Sequence, residues 1–226
     1  MQEISWKENL RVAWFGSFLT GASISLVVPF MPIFVEQLGI EGDQVAFYAG
    51  LAISVSAVSA ALVSPIWGIL ADKYGRKPMM IRAGLAMTIT MGGLAFVPNI
   101  YWLLFLRLLN GVFTGFVPNA TALIASQVPK DKSGAALGTL STGVVAGTLT
   151  GPFVGGLVAE IFGIRNVFLL VGSFLFLAAI LTIFFIKEDF QPVAKEKAIP
   201  TKEVFSSFKY PRLLVNLFLT SFVIQF

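Results

Sequence analysis

Of 226 residues, 56% are hydrophobic and only 12% are charged, about half the charge of a soluble globular domain. Cysteine and histidine are both absent, which excludes disulfides, thiol chemistry, the commonest metal ligands and histidine proton relays. The formal charge of +4 invites a nucleic-acid partner, but the bases sit between long apolar runs. The chain therefore reads as an all-α polytopic membrane protein, with the lipid bilayer as its surroundings and no nucleic-acid role.

Residues 1–11 form a short charged lead. The apolar run that follows is long, lacks a small-residue cleavage site and leads into further apolar runs, so it is not a secretory signal. Six spans are predicted, over about 12–35, 44–71, 79–97, 101–126, 135–159 and 166–186. An acidic loop, 36–43, joins the first two, Pro98-Asn99 makes a tight turn after the third, and a charged loop, 128–134, follows the fourth. From 187 to 212 come ten charges and three prolines, the composition of a solvated linker. Residues 213–226 are apolar but too short to span, so they read as the start of a seventh helix in a larger protein. The expected domains are thus 1–186, 187–212 and 213–226.

Lysine and arginine placement sets the orientation. With the N-terminus in the cytoplasm, fourteen of the sixteen bases fall in cytoplasmic segments, the linker included. Arg165 alone faces outward, and Arg107 lies within the fourth span.

Between spans 2 and 3 lies Gly68-Ile-Leu-Ala-Asp72-Lys-Tyr-Gly75-Arg76-Lys77, an acid among bases punctuated by glycine. Shifted by 88 residues, Gly156-Leu-Val-Ala-Glu160-Ile-Phe-Gly163-Ile-Arg165 falls on it with three identities and five conservative exchanges. Asp72 would end span 2 on the cytoplasmic face and Glu160 would end span 5 on the outer face. A repeat of three helices reverses its direction each time, because three is odd. Residues 12–97 and 101–186 thus read as two inverted three-helix repeats, the arrangement from which secondary transporters are built.

These residues carry a family resemblance. Gly68-x-x-x-Asp72-Lys-x-Gly75-Arg76-Lys77 is similar to the loop 2–3 signature of the major facilitator superfamily, which usually has arginine where Lys73 stands. Arg107-x-x-Asn110-Gly111 resembles its helix 4 signature. Gly147-x-x-x-Gly151-Pro152-x-x-Gly155-Gly156 looks like the helix 5 signature of its drug–proton antiporters. The resemblance covers nearly the whole chain and extends to multidrug exporters of Gram-positive bacteria. It implies the N-terminal six-helix half of a transporter in the cell membrane, exporting small lipophilic drugs such as fluoroquinolones and dyes in exchange for protons. The C-terminal half would be its partner, and no cofactor or metal is called for.

The physical readings run beside it. Asp72 can meet Arg76 or the positive end of a neighbouring helix, a contact that one arrangement of the two halves keeps and the other breaks. Gly68, Asp72, Gly75, Arg76 and Lys77 would then form a conformational latch; alternatively they only cap a helix and fix topology. Arg107 is an intramembrane charge, hence a candidate for proton coupling, its partner either Glu36, the nearest acid by depth in this half, or an acid of the missing half, with snorkelling the alternative. Gly147, Gly151, Pro152, Gly155 and Gly156 suggest a close, bendable seam on span 5, by small-xxx-small packing and a missing helical hydrogen bond. Phe30, Asn110 and Phe113 are candidates for a substrate cavity that holds flat drugs by stacking, or else they face core or lipid. The runner-up is a metabolite carrier on the same scaffold. A non-transporting membrane protein leaves Arg107 and the twin motif unexplained, and no nucleophile–base pair supports an enzyme.

Overall fold

A backbone that crosses lipid must satisfy its own N–H and C=O groups, and a helix does so within one segment. The computed structural model describes residues 5–190. Its helices are α1 (Trp6–Gln37), α2 (Gln44–Tyr74), α3 (Arg76–Gly92), α4 (Ile100–Phe113), α5 (Phe116–Gln127), α6 (Ser133–Phe162) and α7 (Ile164–Phe185). A 3-10 turn, Gly93–Phe96, extends α3, and no strand occurs among the described residues. Six segments are long and apolar enough to span, the third being α3 with its turn and the fourth α4 with α5. The expected linker beyond residue 190 and the start of a seventh helix lie outside the described residues.

Two boundaries differ from expectation. The charged lead is helical from Trp6 onward, so α1 projects beyond its apolar part. Hydropathy marks where lipid begins, whereas backbone hydrogen bonding marks where the helix begins. The fourth span is not continuous: α4 stops at Phe113 and α5 starts at Phe116. Gly115 between them has φ +132°, a conformation that L side chains rarely adopt. Pro118 then has no N–H to return to the Thr114 carbonyl, so the helical ladder fails at that point.

The repeat is visible in the turns. Gly75 (φ +100°) and Gly163 (φ +84°), 88 residues apart, each close one helix and open the next. The Gly75 N–H donates to the Ala71 carbonyl at 2.9 Å, and the Gly163 N–H donates to that of Ala159 at 3.0 Å. The bases that follow also match. Lys77 Nζ donates to the Ile183 carbonyl at 3.0 Å, while Arg165 Nη1 donates to the Ala95 carbonyl at 2.7 Å. Lys77 and Arg165 are one 88-residue shift apart, and so are Ala95 and Ile183, with donor and acceptor repeats exchanged. That exchange is the mark of a pseudo-two-fold axis.

The helix pairs obey the same symmetry: α1 packs on α6 as α2 packs on α4, α1 packs on α7 as α3 packs on α4 and α5, and α3 packs on α7. One apolar cluster includes Phe34 and Phe168, whose rings lie 4.6 Å apart, and a second gathers around Phe116, Leu123 and Met80.

Candidate functional site

The Gly68–Lys77 stretch is built by the end of α2, the Gly75 turn and the start of α3. Arg76, one turn after Asp72, donates through Nη2 to its Oδ1, the one ion pair among the described residues. Lys77 points the other way, to the last turn of α7. Gly68 lines a cleft of about 360 Å³ with Ser64, Trp67, Arg76, Gly115 and Asn119, and nothing lies within 4 Å of where its Cβ would be. The N-terminal end of α3 is not left for Asp72. Glu188, just past α7, accepts the Arg76 N–H at 2.8 Å and the Lys77 N–H at 2.7 Å, one on each carboxylate oxygen. A carboxylate there meets both orphan donors and the positive end of the helix dipole. Glu188→Gln should weaken this cap by about 1 kcal/mol, speeding amide exchange at Arg76 and Lys77 roughly fivefold. Unchanged exchange at those two amides would remove Glu188 as the cap.

Arg107 on α4 is buried, at 6% exposure. Its Nε donates to the Ala52 carbonyl of α2 at 3.2 Å, and Nη1 lies 3.7 Å from the Met91 sulfur of α3. No carboxylate pairs with it among the described residues, and Glu36, the nearest acid by depth in this half, is not its partner. The guanidinium turns sideways into the α2–α3 crevice, where a main-chain oxygen is the acceptor at hand. One turn on, Asn110 accepts from Thr90 Oγ1 at 3.2 Å and donates to Ser56 Oγ at 3.3 Å. The result is a small polar layer that ties α4 to α2 and α3.

The three cavity candidates do not meet. Phe30 packs in the α1–α6 contact against Gly155. Asn110 is buried with its amide already engaged, and half-buried Phe113 lies 6.3 Å from the Trp67 ring. Phe30 is drawn aside because α6 offers it a glycine, and Asn110 because two hydroxyls satisfy it better than an apolar surface does.

On α6, the glycine stripe faces α1. A Cβ on Gly143 would meet the Trp14 carbonyl, one on Gly147 the Phe18 carbonyl, one on Gly151 the Ala22 carbonyl, and one on Gly155 the Leu26 side chain. Gly156 is the exception, with open space around it, because one residue further turns it about 100° around the helix. Pro152 leaves the Thr148 carbonyl without its helical donor. Ser25 Oγ of α1 donates to that carbonyl at 2.7 Å, so the proline's deficit is met across the seam.

A family model described as Major Facilitator Superfamily matches residues 13–226. The chain belongs to the major facilitator superfamily. Relatives within it include the "Multi-drug resistance efflux pump PmrA" of Streptococcus pneumoniae serotype 4 (strain ATCC BAA-334 / TIGR4), 88% identical over 100% of this chain and 57% of that protein. The "Multi-drug resistance efflux pump PmrA homolog" of Lactococcus lactis subsp. lactis (strain IL1403) is 54% identical over 98% of this chain and 55% of its own length. The chain thus spans a little over half the length of these curated relatives. Among solved structures, the human organic anion transporter MFSD10 superposes with a TM-score of 0.77, at 17% identity, over 90% of this chain and 53% of that one. At that identity the likeness concerns the fold.

Within this superfamily member, sequence reasoning missed the residues that hold the break in the fourth span. The Trp67 indole N–H donates to the Val112 carbonyl at 2.6 Å, and Arg82 Nη2 donates to that of Thr114 at 3.3 Å. The Arg82 guanidinium lies over the Trp67 ring, 3.5 Å from its centre, a close cation–π stack. Together they supply donors to the Val112 carbonyl, at the end of α4, and to the Thr114 carbonyl, which Pro118 cannot serve. In sequence Arg82 is one of the fourteen cytoplasmic bases, and Gly115-x-x-Pro118 is the signal that points to the break.

Proposed function

We propose that this chain is the N-terminal six-span half of a proton-coupled multidrug exporter, working by alternating access in the cell membrane with its N-terminus in the cytoplasm. The observation that carries the reading is 88% identity, over the whole of this chain, to a protein named as a multidrug efflux pump. The distribution of bases supports the orientation. The exporter would take up small lipophilic drugs and exchange them for protons, with a second six-span half completing the cavity.

In this reading Asp72 and Arg76 are the latch. Their exposed pairing is worth little alone, so the state change must come from what else each can reach when the second half closes on Gly68. The bare face at Gly68 leaves room for another backbone. The four-glycine contact of α6 with α1 is the seam along which the half keeps its shape while it rocks. Arg107 supplies the fixed positive charge against which a coupling carboxylate is set, and protonation of that acid weakens the pairing. The polar layer around Asn110 holds α4 in register with α2 and α3.

The test uses the full-length protein in proteoliposomes with an imposed pH gradient. Ethidium should move against its gradient, stop when nigericin collapses the pH difference, and not be replaced as substrate by labelled glucose or leucine. Nutrient transport without ethidium transport would overturn the reading. In the same assay Asp72→Asn should lower the efflux rate roughly tenfold, equivalent to about 1.4 kcal/mol lost from one state of the latch. Full-rate efflux by that variant would remove the latch while leaving the exporter.

A further inference from the structure

α7 ends at Phe185, and Ile186 beyond it is already extended, with ψ 130°. The main chain of Lys187 has left the helical ladder, so its N–H and C=O both need partners from elsewhere. One side chain, Asn9 of α1, meets both. Lys187 N–H donates to Asn9 Oδ1 at 2.9 Å, and Asn9 Nδ2 donates to the Lys187 carbonyl at 2.6 Å. A primary amide can do this because it carries donor and acceptor side by side, as a peptide group does. The second hydrogen of Nδ2 goes to Gln127 Oε1, at the end of α5, at 2.7 Å. Gln127 Nε2 in turn donates to the Lys187 carbonyl at 3.0 Å. Asn9 is only 1% exposed, so this buried amide has used both its N–H donors and its oxygen.

The effect of fixing Lys187 is visible one residue on. Neighbouring side chains of an extended chain leave on opposite sides. With the Lys187 side chain in solvent, that of Glu188 turns inward onto the N–H groups of Arg76 and Lys77. The end of α7 is committed to this turn in a second way. The Ile183 carbonyl, four residues before Lys187 and its natural helical acceptor, is taken by Lys77 Nζ. Gly75 leaves the room required, since a Cβ there would lie 2.9 Å from Glu188 Oε2. The matching turn at Gly163 has nothing within 4 Å of its Cβ position, so no carboxylate occupies the corresponding place. Glu188 therefore serves something other than the making of the turn.

We propose that Asn9 is a positioning residue for the latch: it clamps the Lys187 main chain so that Glu188 holds the first turn of α3, from which Arg76 reaches Asp72. The assignment rests on Asp72 and Arg76 being the latch. Asn9 acts on them only through the exit of α7. Arg76 is held twice, by its main-chain N–H in the cap and by its guanidinium in the ion pair. Released from Asn9, Lys187 lets Glu188 swing away, the first turn of α3 frays, and Arg76 loses its pose.

The test reads amide exchange in the full-length protein in detergent, apart from any transport. Asn9→Ala should speed exchange at Arg76 and Lys77 roughly fivefold, as much as Glu188→Gln does. Asn9→Ala/Glu188→Gln should be no faster than either single variant, because one residue acts through the other. Exchange at Ala22 and Leu26, buried in the α1–α6 contact, should not change. General loosening of the bundle would instead raise all four amides and multiply with Glu188→Gln. Gln127→Ala takes one of two donors from the Lys187 carbonyl and should give about a twofold rise at Arg76 and Lys77. It is the deciding variant if Asn9→Ala does not assemble. Unchanged exchange at Arg76 and Lys77, effects that multiply in the double variant, or a rise shared by Ala22 and Leu26 would each overturn the proposal. In proteoliposomes Asn9→Ala should slow ethidium efflux roughly threefold and add nothing to Asp72→Asn. Full-rate efflux by Asn9→Ala where Asp72→Asn is slow would also overturn it. If the exchange pattern holds and Asp72→Asn exports at full rate, the latch has failed and the Asn9 link has not.

Discussion

Replacing Gly147 by valine should leave almost no folded protein in the membrane. A Cβ at that position overlaps the Phe18 carbonyl oxygen and lies 2.8 Å from the Ala22 nitrogen, both main-chain atoms of α1. Backbone cannot swing aside as a flexible side chain can. The helices must separate instead, and Gly143, Gly151 and Gly155 on the same stripe then lose their contact with α1 together. Overpacking a single core site costs about 1–3 kcal/mol, and forfeiting the neighbouring contacts adds to that. Detergent extraction followed by size-exclusion chromatography should show aggregate in place of a symmetric peak. Gly156→Val is the internal control, since nothing stands within 4 Å of its Cβ position, and it should run as wild type. A monodisperse Gly147→Val protein would mean that α1 and α6 do not approach so closely.

The second large effect is opposite in kind. Arg107→Ala should assemble normally and lose pH-driven export. The guanidinium has five N–H donors but, among the described residues, meets one carbonyl and one thioether. Its burial carries a desolvation penalty that so few contacts do not repay, so removing it should leave thermal stability unchanged or slightly raised. On the proposed function, the charge is there for what it does to another group. The expected result is ethidium efflux that no longer responds to an imposed pH gradient, while ethidium exchange at equal pH persists. Arg107→Lys should recover part of the pH response, because it keeps the charge without the planar fork. Normal gradient-driven efflux by the alanine variant would take Arg107 out of proton coupling.

Much of this was legible in the sequence because lipid is an unforgiving medium. Apart from Arg82 and Arg107, charges lie at or beyond the ends of spans, so the runs between them mark six spans, and the 88-residue echo points to the matched turns at Gly75 and Gly163. The α6 stripe was legible for a similar reason: glycines four apart share one face whatever they touch. Chemistry fixed by tertiary contact was hidden. Glu188 was assigned to a solvated linker on composition, yet it reaches back more than a hundred residues to cap α3. The break at Gly115 hides in an apolar run, where hydropathy is blind to backbone conformation. Nothing in sequence marks Ser25 as the donor to the Thr148 carbonyl that Pro152 leaves unmet. Depth alone suggested Glu36 for Arg107, but depth says nothing about which way a side chain leans.

The crossed grip of Lys77 and Arg165 has a mechanical consequence. Each base fastens its own helix to the far tip of the other, so α3 and α7 are bolted at both ends of one joint. Sliding one along the other by a single residue rise, about 1.5 Å, would strain both bolts at once. The pair must travel as a single strut, so any change of shape within these six spans falls outside that joint, as it falls outside the close α1–α6 seam.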